Sequence, residues 1–164
     1  MSAFDDLYAG NAKFAKKFGN SGLTGRAARG LAVVTCMDSR IDPLGLLGLK
    51  AGDAKILRNA GARVTDDVLR TLVLAVYLLG VERVFVMPHT DCGMTKVTDS
   101  DVHALTQERG VDTRSLEFRT VPDQNEALRH DLVRIRTSPF LPEGMPVAGA
   151  IYDVRTGRLS SSPH

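Results

Sequence analysis

The stretch LAVVTCMDSR, residues 31–40, decides the fold class because a continuous apolar run passes directly into a polar segment. The run from Leu31 to Thr35 is typical of a strand that is covered on both faces, as in a parallel sheet. Cys36 follows this predicted strand at once. Taken alone, a cysteine such as Cys36 is more often a buried core residue than a metal ligand, because free cysteine is among the most buried residue types.

Three further segments are predicted to be strands. They are short, rich in aliphatic side chains and bounded by turn-forming residues. The three segments lie at Ala54–Leu57, Arg83–Met87 and Val147–Tyr152. The strand signal is weaker at Ala54–Leu57 and strong at Arg83–Met87.

Helices are predicted between these strands by apolar residues at helical spacing. The first can be capped by Thr65 or Asp66 and ends at Gly80, and the second begins after Asp123 and is stopped by Pro139. Alternation of strands and helices predicts an α/β fold, with a mostly parallel central β-sheet flanked by helices.

The chain is predicted to form a single domain over residues 1–164, since no linker, repeat or low-complexity segment divides it. Its length is sufficient to bury a core without disulfides. Residues 1–30 are predicted to be an N-terminal helix and arm, because residues 3–18 have helical spacing and a glycine-rich segment follows. Residues 159–164 are predicted to be a flexible tail.

Charge and hydropathy exclude several classes of function. The formal net charge is only +2, so no nucleic-acid partner is expected. The longest apolar run, residues 68–81, contains Arg70 and is too short for a membrane span, so no membrane partner is expected either. The N-terminus lacks the pattern of a secretory signal, which predicts a cytoplasmic protein with reduced cysteines. The two cysteines are therefore metal ligands, catalytic groups or core residues.

A second group of candidate ligands follows the third predicted strand. His89 and Cys92 are spaced as His-x-x-Cys, which is a weak signal on its own. The carboxyl ends of parallel strands share one edge of a sheet, so Cys36 meets both residues if the first and third strands are neighbours. Two thiolates and an imidazole suit Zn²⁺ and leave a fourth position open.

Three blocks of sequence together resemble the β-class carbonic anhydrases, and most of all the short bacterial members that include mycobacterial enzymes. The resemblance extends over about residues 4–157. The blocks are Cys36-Met-Asp-Ser-Arg40, Arg58-Asn-Ala-Gly61 and His89-Thr-Asp-Cys-Gly93.

The resemblance implies reversible hydration of carbon dioxide to bicarbonate and a proton, by attack of zinc-bound hydroxide. It implies one Zn²⁺ per chain, ligated by Cys36, His89 and Cys92, with an Asp38–Arg40 pair at the metal. It also implies a homodimer or dimer-based tetramer in which the N-terminal helix packs over its partner.

The residues beside the metal suit this reaction. Asp38 can orient the hydroxide, and Arg40 can hold Asp38 by a bidentate pair; without that pair, Asp38 becomes a fourth ligand and closes the site. For an arbitrary Asp-x-Arg the expectation is instead a surface ion pair. Backbone amides at Gly61 and Gly93 are predicted to position bicarbonate.

Two other functions remain open from the sequence. Related zinc hydrolases act on carbonyl sulfide or carbon disulfide, and they share the same metal motif. A structural-zinc or redox-sensing protein would instead require a closed site with four ligands. One departure from the family pattern is Ala62, which stands where a second glycine is frequent and which matters if that position has a positive φ angle.

Overall fold

A five-stranded sheet forms the centre of the computed structural model, which describes residues 2–161. The strand order is β2-β1-β3-β4-β5, in which the first four strands are parallel and β5 is antiparallel to β4. The predicted mostly parallel sheet is therefore confirmed. The strands are β1 (Leu31–Cys36), β2 (Ala54–Asn59), β3 (Arg83–Met87), β4 (Val147–Tyr152) and β5 (Leu159–Ser161).

Five α-helices are found among the described residues, and the two long ones, α3 and α5, contain the predicted apolar faces. Short 3₁₀ turns occupy residues 60–62 and 93–95. The helices are α1 (Asp5–Ala15), α2 (Pro43–Leu46), α3 (Asp66–Leu79), α4 (Asp99–Glu108) and α5 (Gln124–Arg136).

The ends of α3 and α5 follow from the residues at their boundaries. Thr65 caps α3, since its hydroxyl accepts a hydrogen bond from the Val68 amide, and Gly80 ends that helix with a φ of 73°. The Asp123 carboxylate accepts from the first free amides of α5, at Asn125 and Glu126. Both helix starts agree with the sequence prediction.

The two faces of the sheet carry separate apolar clusters. The larger one joins Val34 and Val86 to Leu72 of α3 and Leu128 of α5, among other residues. The smaller one contains Val33, Met87 and Ile41 together with both cysteines. The candidate ligands thus lie within an apolar cluster at one end of β1 and β3.

The predicted tail requires a correction. Residues 159–161 form β5, with Ser160 opposite Ile151, and are joined to β4 by a turn in which the Gly157 amide donates to the Asp153 carbonyl. The free edge of β4 offers unpaired backbone groups, and pairing satisfies them. Residues 162–164 of the predicted tail lie outside the described residues. No helix within residues 2–161 has the length and apolarity needed to cross a membrane.

Candidate metal centre

Cys36, His89 and Cys92 converge at the carboxyl ends of two neighbouring strands. Cys36 is the last residue of β1, and His89 and Cys92 follow β3, which pairs directly with β1. Their ligand atoms all lie within 4.8 Å of one another, and all three side chains are buried. The neighbouring position of the first and third strands, on which the sequence argument depended, is therefore found.

The imidazole of His89 is oriented with one nitrogen free. Its Nδ1 lies 2.8 Å from the Thr90 carbonyl oxygen, so Nδ1 carries the proton and donates it there. Nε2 is then an acceptor that is fully buried and has no hydrogen-bond partner among residues 2–161. Because buried polar atoms are almost always satisfied, this orphaned nitrogen fits a metal ligand.

The two sulfur atoms favour a cation between them. Cys36 Sγ and Cys92 Sγ are 3.9 Å apart. Without a cation, the nearby Cys92 thiol lowers the pKa of Cys36, and the resulting thiolate raises the pKa of Cys92. Only one of the two can then ionise readily at neutral pH. A bound divalent cation removes this conflict, because it favours both thiolates. The donor set thus fits a metal site.

Asp38 is held beside this group by a three-point contact with Arg40. The Arg40 Nε donates to Oδ1 at 2.9 Å, Nη2 donates to Oδ2 at 2.7 Å, and the Arg40 amide donates to Oδ1 at 2.9 Å. These contacts hold the pKa of Asp38 well below its usual range. Asp38 Oδ2 lies 3.7 Å from His89 Nε2, so an ionised carboxylate faces the centre without being part of the three-residue group.

Gly61 approaches the centre through its backbone. Its φ is 79°, and a Cβ there would lie 3.3 Å from Met94 Cγ. The Gly61 amide is one of the groups that lower the pKa of Cys36. Around Gly93, an added Cβ would meet no atom within 4 Å. The role of both glycines in positioning bicarbonate stays a prediction.

Ala62 has a φ of 59° and is 1% exposed. The left-handed conformation considered from the sequence is therefore present here in a residue with a side chain. Such a φ is uncommon outside glycine, and the buried methyl group must be accommodated in the smaller apolar cluster.

Two residues near the centre received no role from the sequence. Arg58 donates from Nε to the Cys36 carbonyl at 2.9 Å and from Nη2 to the Asp38 carbonyl at 2.7 Å, so it braces the turn after β1. Gln124, the first residue of α5, donates from its side chain to the His89 carbonyl. Arg58 belongs to a quoted motif, whereas only the fold brings Gln124 to His89.

Comparison with known proteins gives a consistent result. Residues 31–159 match the family described as carbonic anhydrase. The chain is 40% identical to β-carbonic anhydrase 1 of Mycobacterium tuberculosis over 162 residues, which cover 98% of each protein. It is 32% identical to a carbon disulfide hydrolase of Acidithiobacillus thiooxidans, over 83% of this chain and 78% of that protein. A carbonic anhydrase structure from Streptococcus mutans superposes with a TM-score of 0.93, at 40% identity over 99% of each chain.

Proposed function

Because the chain belongs to the β-carbonic anhydrase family, we propose that Cys36, His89 and Cys92 hold one Zn²⁺ per chain, with Asp38 and Arg40 acting beside it. The reaction is the reversible hydration of carbon dioxide to bicarbonate and a proton. Three protein ligands of this kind are typical of catalytic zinc, which keeps its fourth position for water or substrate.

One observation carries the proposal: three converging ligand atoms have a carboxylate beside them that is tied to an arginine. Within the described part of the chain, the metal-binding group consists of three residues, whereas a structural zinc site is closed by four. Asp38 is the nearest candidate for a fourth ligand, but both of its oxygens accept from Arg40. This arrangement supports an open position.

The residues around that position have separable roles. When bound, zinc lowers the pKa of a water molecule and so makes a nucleophile available at neutral pH. Asp38, ionised and aimed at the centre, accepts a hydrogen bond from a water there and orients it. Arg40 keeps the carboxylate in place and neutralises its charge. The surrounding apolar cluster is a suitable environment for carbon dioxide, which is itself apolar.

Carbon disulfide or carbonyl sulfide is the second candidate substrate. The similarity to a carbon disulfide hydrolase favours testing it, since that enzyme is 32% identical to this chain. Both molecules resemble carbon dioxide in shape. Our proposal is carbon dioxide, because the relative with higher identity and coverage is a carbonic anhydrase.

We also propose that the chain works as a homodimer or a dimer-based tetramer. Every described residue from 2 to 26 is exposed, and α1 buries none of its side chains. The exposed fractions of Leu7, Tyr8 and Phe14 all exceed 60%. An isolated helix of 11 residues is marginal in water, so a second copy that covers this apolar surface would stabilise it.

A cytoplasmic location is part of the proposal as well. Two cysteines that bind metal must stay reduced, and reducing conditions are found in the cytoplasm rather than in secreted compartments. Cell fractionation tests this location.

Metal analysis with parallel turnover measurements tests the proposed function. Purified protein should contain about one zinc per chain, as expected for one Cys₂His site. Cys36→Ser should lose both metal and carbon dioxide hydration, because it removes a thiolate ligand. Turnover of carbon disulfide and carbonyl sulfide should be far slower than hydration of carbon dioxide. A Cys36→Ser variant that is metal-free and fully active, or a preference for carbon disulfide, would contradict the proposal.

A further inference from the structure

The guanidinium of Arg40 binds a second carboxylate on the side away from Asp38. Its Nη1 donates to Asp91 Oδ2 at 2.9 Å, and its Nη2 donates to the Asp91 carbonyl oxygen at 3.1 Å. Asp91 lies between the ligands His89 and Cys92 in sequence. Arg40 therefore connects the turn after β1 to the loop after β3.

A second Asp-x-Arg in the same molecule shows what Asp91 adds. Arg114 makes the same three contacts with Asp112, from its amide to Oδ1 at 3.1 Å, from Nε to Oδ1 at 2.9 Å and from Nη2 to Oδ2 at 2.6 Å. This pair lies on the surface, and within residues 2–161 the Arg114 guanidinium contacts no other carboxylate. The bidentate pair is thus a local property of Asp-x-Arg. The contact with Asp91 is what distinguishes Arg40.

The exposure of the two arginines indicates why that difference matters. The Arg114 side chain is 81% exposed, and that of Arg40 is still 45% exposed. Exposed ion pairs are weak because they must restrain two side chains against water. With Asp38 as its only partner, the Arg40 guanidinium could leave the carboxylate and be hydrated by water instead. The additional hydrogen bonds from Nη1 and Nη2 to Asp91 hold the guanidinium in place on its other side.

Asp91 is itself held in place. Its other oxygen forms an ion pair with Lys96, which follows the 3₁₀ turn after Cys92. Its φ is 55°, a left-handed conformation that aspartate and asparagine tolerate better than most residues. One carboxylate oxygen of Asp91 thus contacts Lys96 and the other accepts from Arg40.

We propose that Asp91 is a positioning residue that keeps Arg40 on Asp38, and that Lys96 orients Asp91. Through Arg40, Asp91 determines how firmly Asp38 is kept away from the open position of the metal. This inference rests on the proposed function for its consequence in catalysis. The anchoring of Arg40 does not depend on that function and can be measured separately.

Three variants separate the contributions. Asp91→Asn keeps a residue that tolerates the left-handed backbone and retains an acceptor for Nη1, but it loses the charge. Asp91→Gly removes the side-chain contact with Nη1, leaves the backbone carbonyl that accepts from Nη2, and relieves any backbone strain. Lys96→Met retains most of the apolar stem and removes the outer ion pair. The matched control is Asp112→Asn, which weakens the isolated Asp-x-Arg pair.

Two readouts are needed on the zinc-loaded protein. The first is kcat for hydration, together with zinc content. The second is ¹H–¹⁵N NMR of the arginine side chains, in which Arg114 serves as the reference for Arg40 in the same spectrum. In the wild type, the Nη protons of Arg40 should exchange with water more slowly than those of Arg114.

We expect Asp91→Gly to keep its zinc and to lower kcat by about 10-fold to 100-fold, the range for lost partners of metal-site residues. Asp91→Asn should retain more activity than Asp91→Gly, and Lys96→Met should have the smallest effect. Asp112→Asn should match the wild type. In Asp91→Gly, the Nη1 protons of Arg40, which lose their partner, should exchange as fast as those of Arg114.

Wild-type kcat in Asp91→Gly, or unchanged Arg40 exchange in that variant, would overturn the inference. If the wild-type protein fails to hydrate carbon dioxide, the proposed function is wrong, whereas the exchange measurement still decides whether Asp91 anchors Arg40.

Discussion

At the scale of single residues, the centre is built from residues that are fixed at more than one point, through the side chain or the backbone. His89 donates from Nδ1 to Thr90, and its carbonyl accepts from Gln124. Asp38 receives three hydrogen bonds from Arg40. Groups held in this way reach a metal and its water without reorganising, which is the property that catalysis at such a site requires.

Replacing Arg40 by alanine should leave the metal bound and remove most of the activity. Without the guanidinium, Asp38 can turn towards the open position, and water loses its place there. We expect kcat to fall by about 100-fold, the upper part of the range for such partners, with about one zinc retained per chain. Arg114→Ala is the matched control and should be fully active. Wild-type kcat in Arg40→Ala would refute the role assigned to the pair.

Gly149, in β4, is required for the close approach of α5 to the sheet. A Cβ at this position would lie 2.8 Å from both Leu128 Cδ1 and the Val86 carbonyl oxygen. Gly149→Ala should therefore lower the free energy of unfolding by about 1 to 3 kcal/mol, as overpacking typically does. Urea denaturation would measure the change. Gly25→Ala, where an added Cβ meets nothing within 4 Å, should be close to wild type.

At the scale of elements, the strands and the two long helices α3 and α5 were easier to predict than the exposed helix α4. The bounds of β3 and β4 agree with the prediction, because a proline bounds each apolar run, Pro88 after β3 and Pro146 before β4. Strand β2 continues through Arg58 and Asn59, two polar residues beyond the predicted end, since they pair in register with Thr35 and Cys36. Arg58 and Asn59 are polar because they lie beside the candidate metal centre, and not because the strand ends before them.

Helix α4 was not predicted, for a physical reason. It buries none of its residues, so it lacks the apolar stripe on which the helix predictions depended. A different signal was present: Thr98 and Asp101 form a capping box at its start. The convergence of Cys36, His89 and Cys92 was predictable because strand ends share an edge, whereas Gln124 and Asp91 depend on loop geometry that no periodicity encodes.

Asp99, at the start of α4, connects that helix to residues 118–120 through hydrogen bonds. Its carboxylate accepts from the amides of Phe118, Arg119 and Thr120 and from the Thr120 hydroxyl. Asp99→Asn loses part of this acceptor capacity and should cost about 1 to 3 kcal/mol at pH 7, the range for unsatisfied donors. Chemical denaturation measures the loss, with Asp112→Asn as the surface control.

The same contacts make this contribution depend on pH. Thr120, and then the amides of Phe118 and Arg119, lower the pKa of Asp99 from 3.8 to about 2. Since the folded-state pKa is lowered, the stabilisation is present above pH 3.8 and is lost as pH falls towards 2. The stability difference between wild type and Asp99→Asn should shrink over that interval. A difference that grows on acidification would contradict this assignment.

At the scale of the whole molecule, α1 is the element that the single chain leaves without a packing partner. The double variant Leu7→Ser, Phe14→Ser removes two large apolar side chains from it, both more than 60% exposed. We expect light scattering to give the wild type a mass of at least twice the 17.7 kDa of one chain. The mass of the variant should fall towards that of a single chain. Lys13→Ser, Lys17→Ser is the matched control. A wild-type monomer, or an unchanged mass in the apolar variant, would exclude this assembly.

The most direct test of the central claim is stopped-flow hydration of carbon dioxide by protein stripped of metal and then titrated with Zn²⁺. We predict negligible hydration by the stripped protein, and a rate that rises with added zinc until about one equivalent per chain is bound. Cys36→Ser, carried through the same titration, should stay inactive. Full hydration without zinc, or no hydration by protein that holds one zinc per chain, would contradict the account.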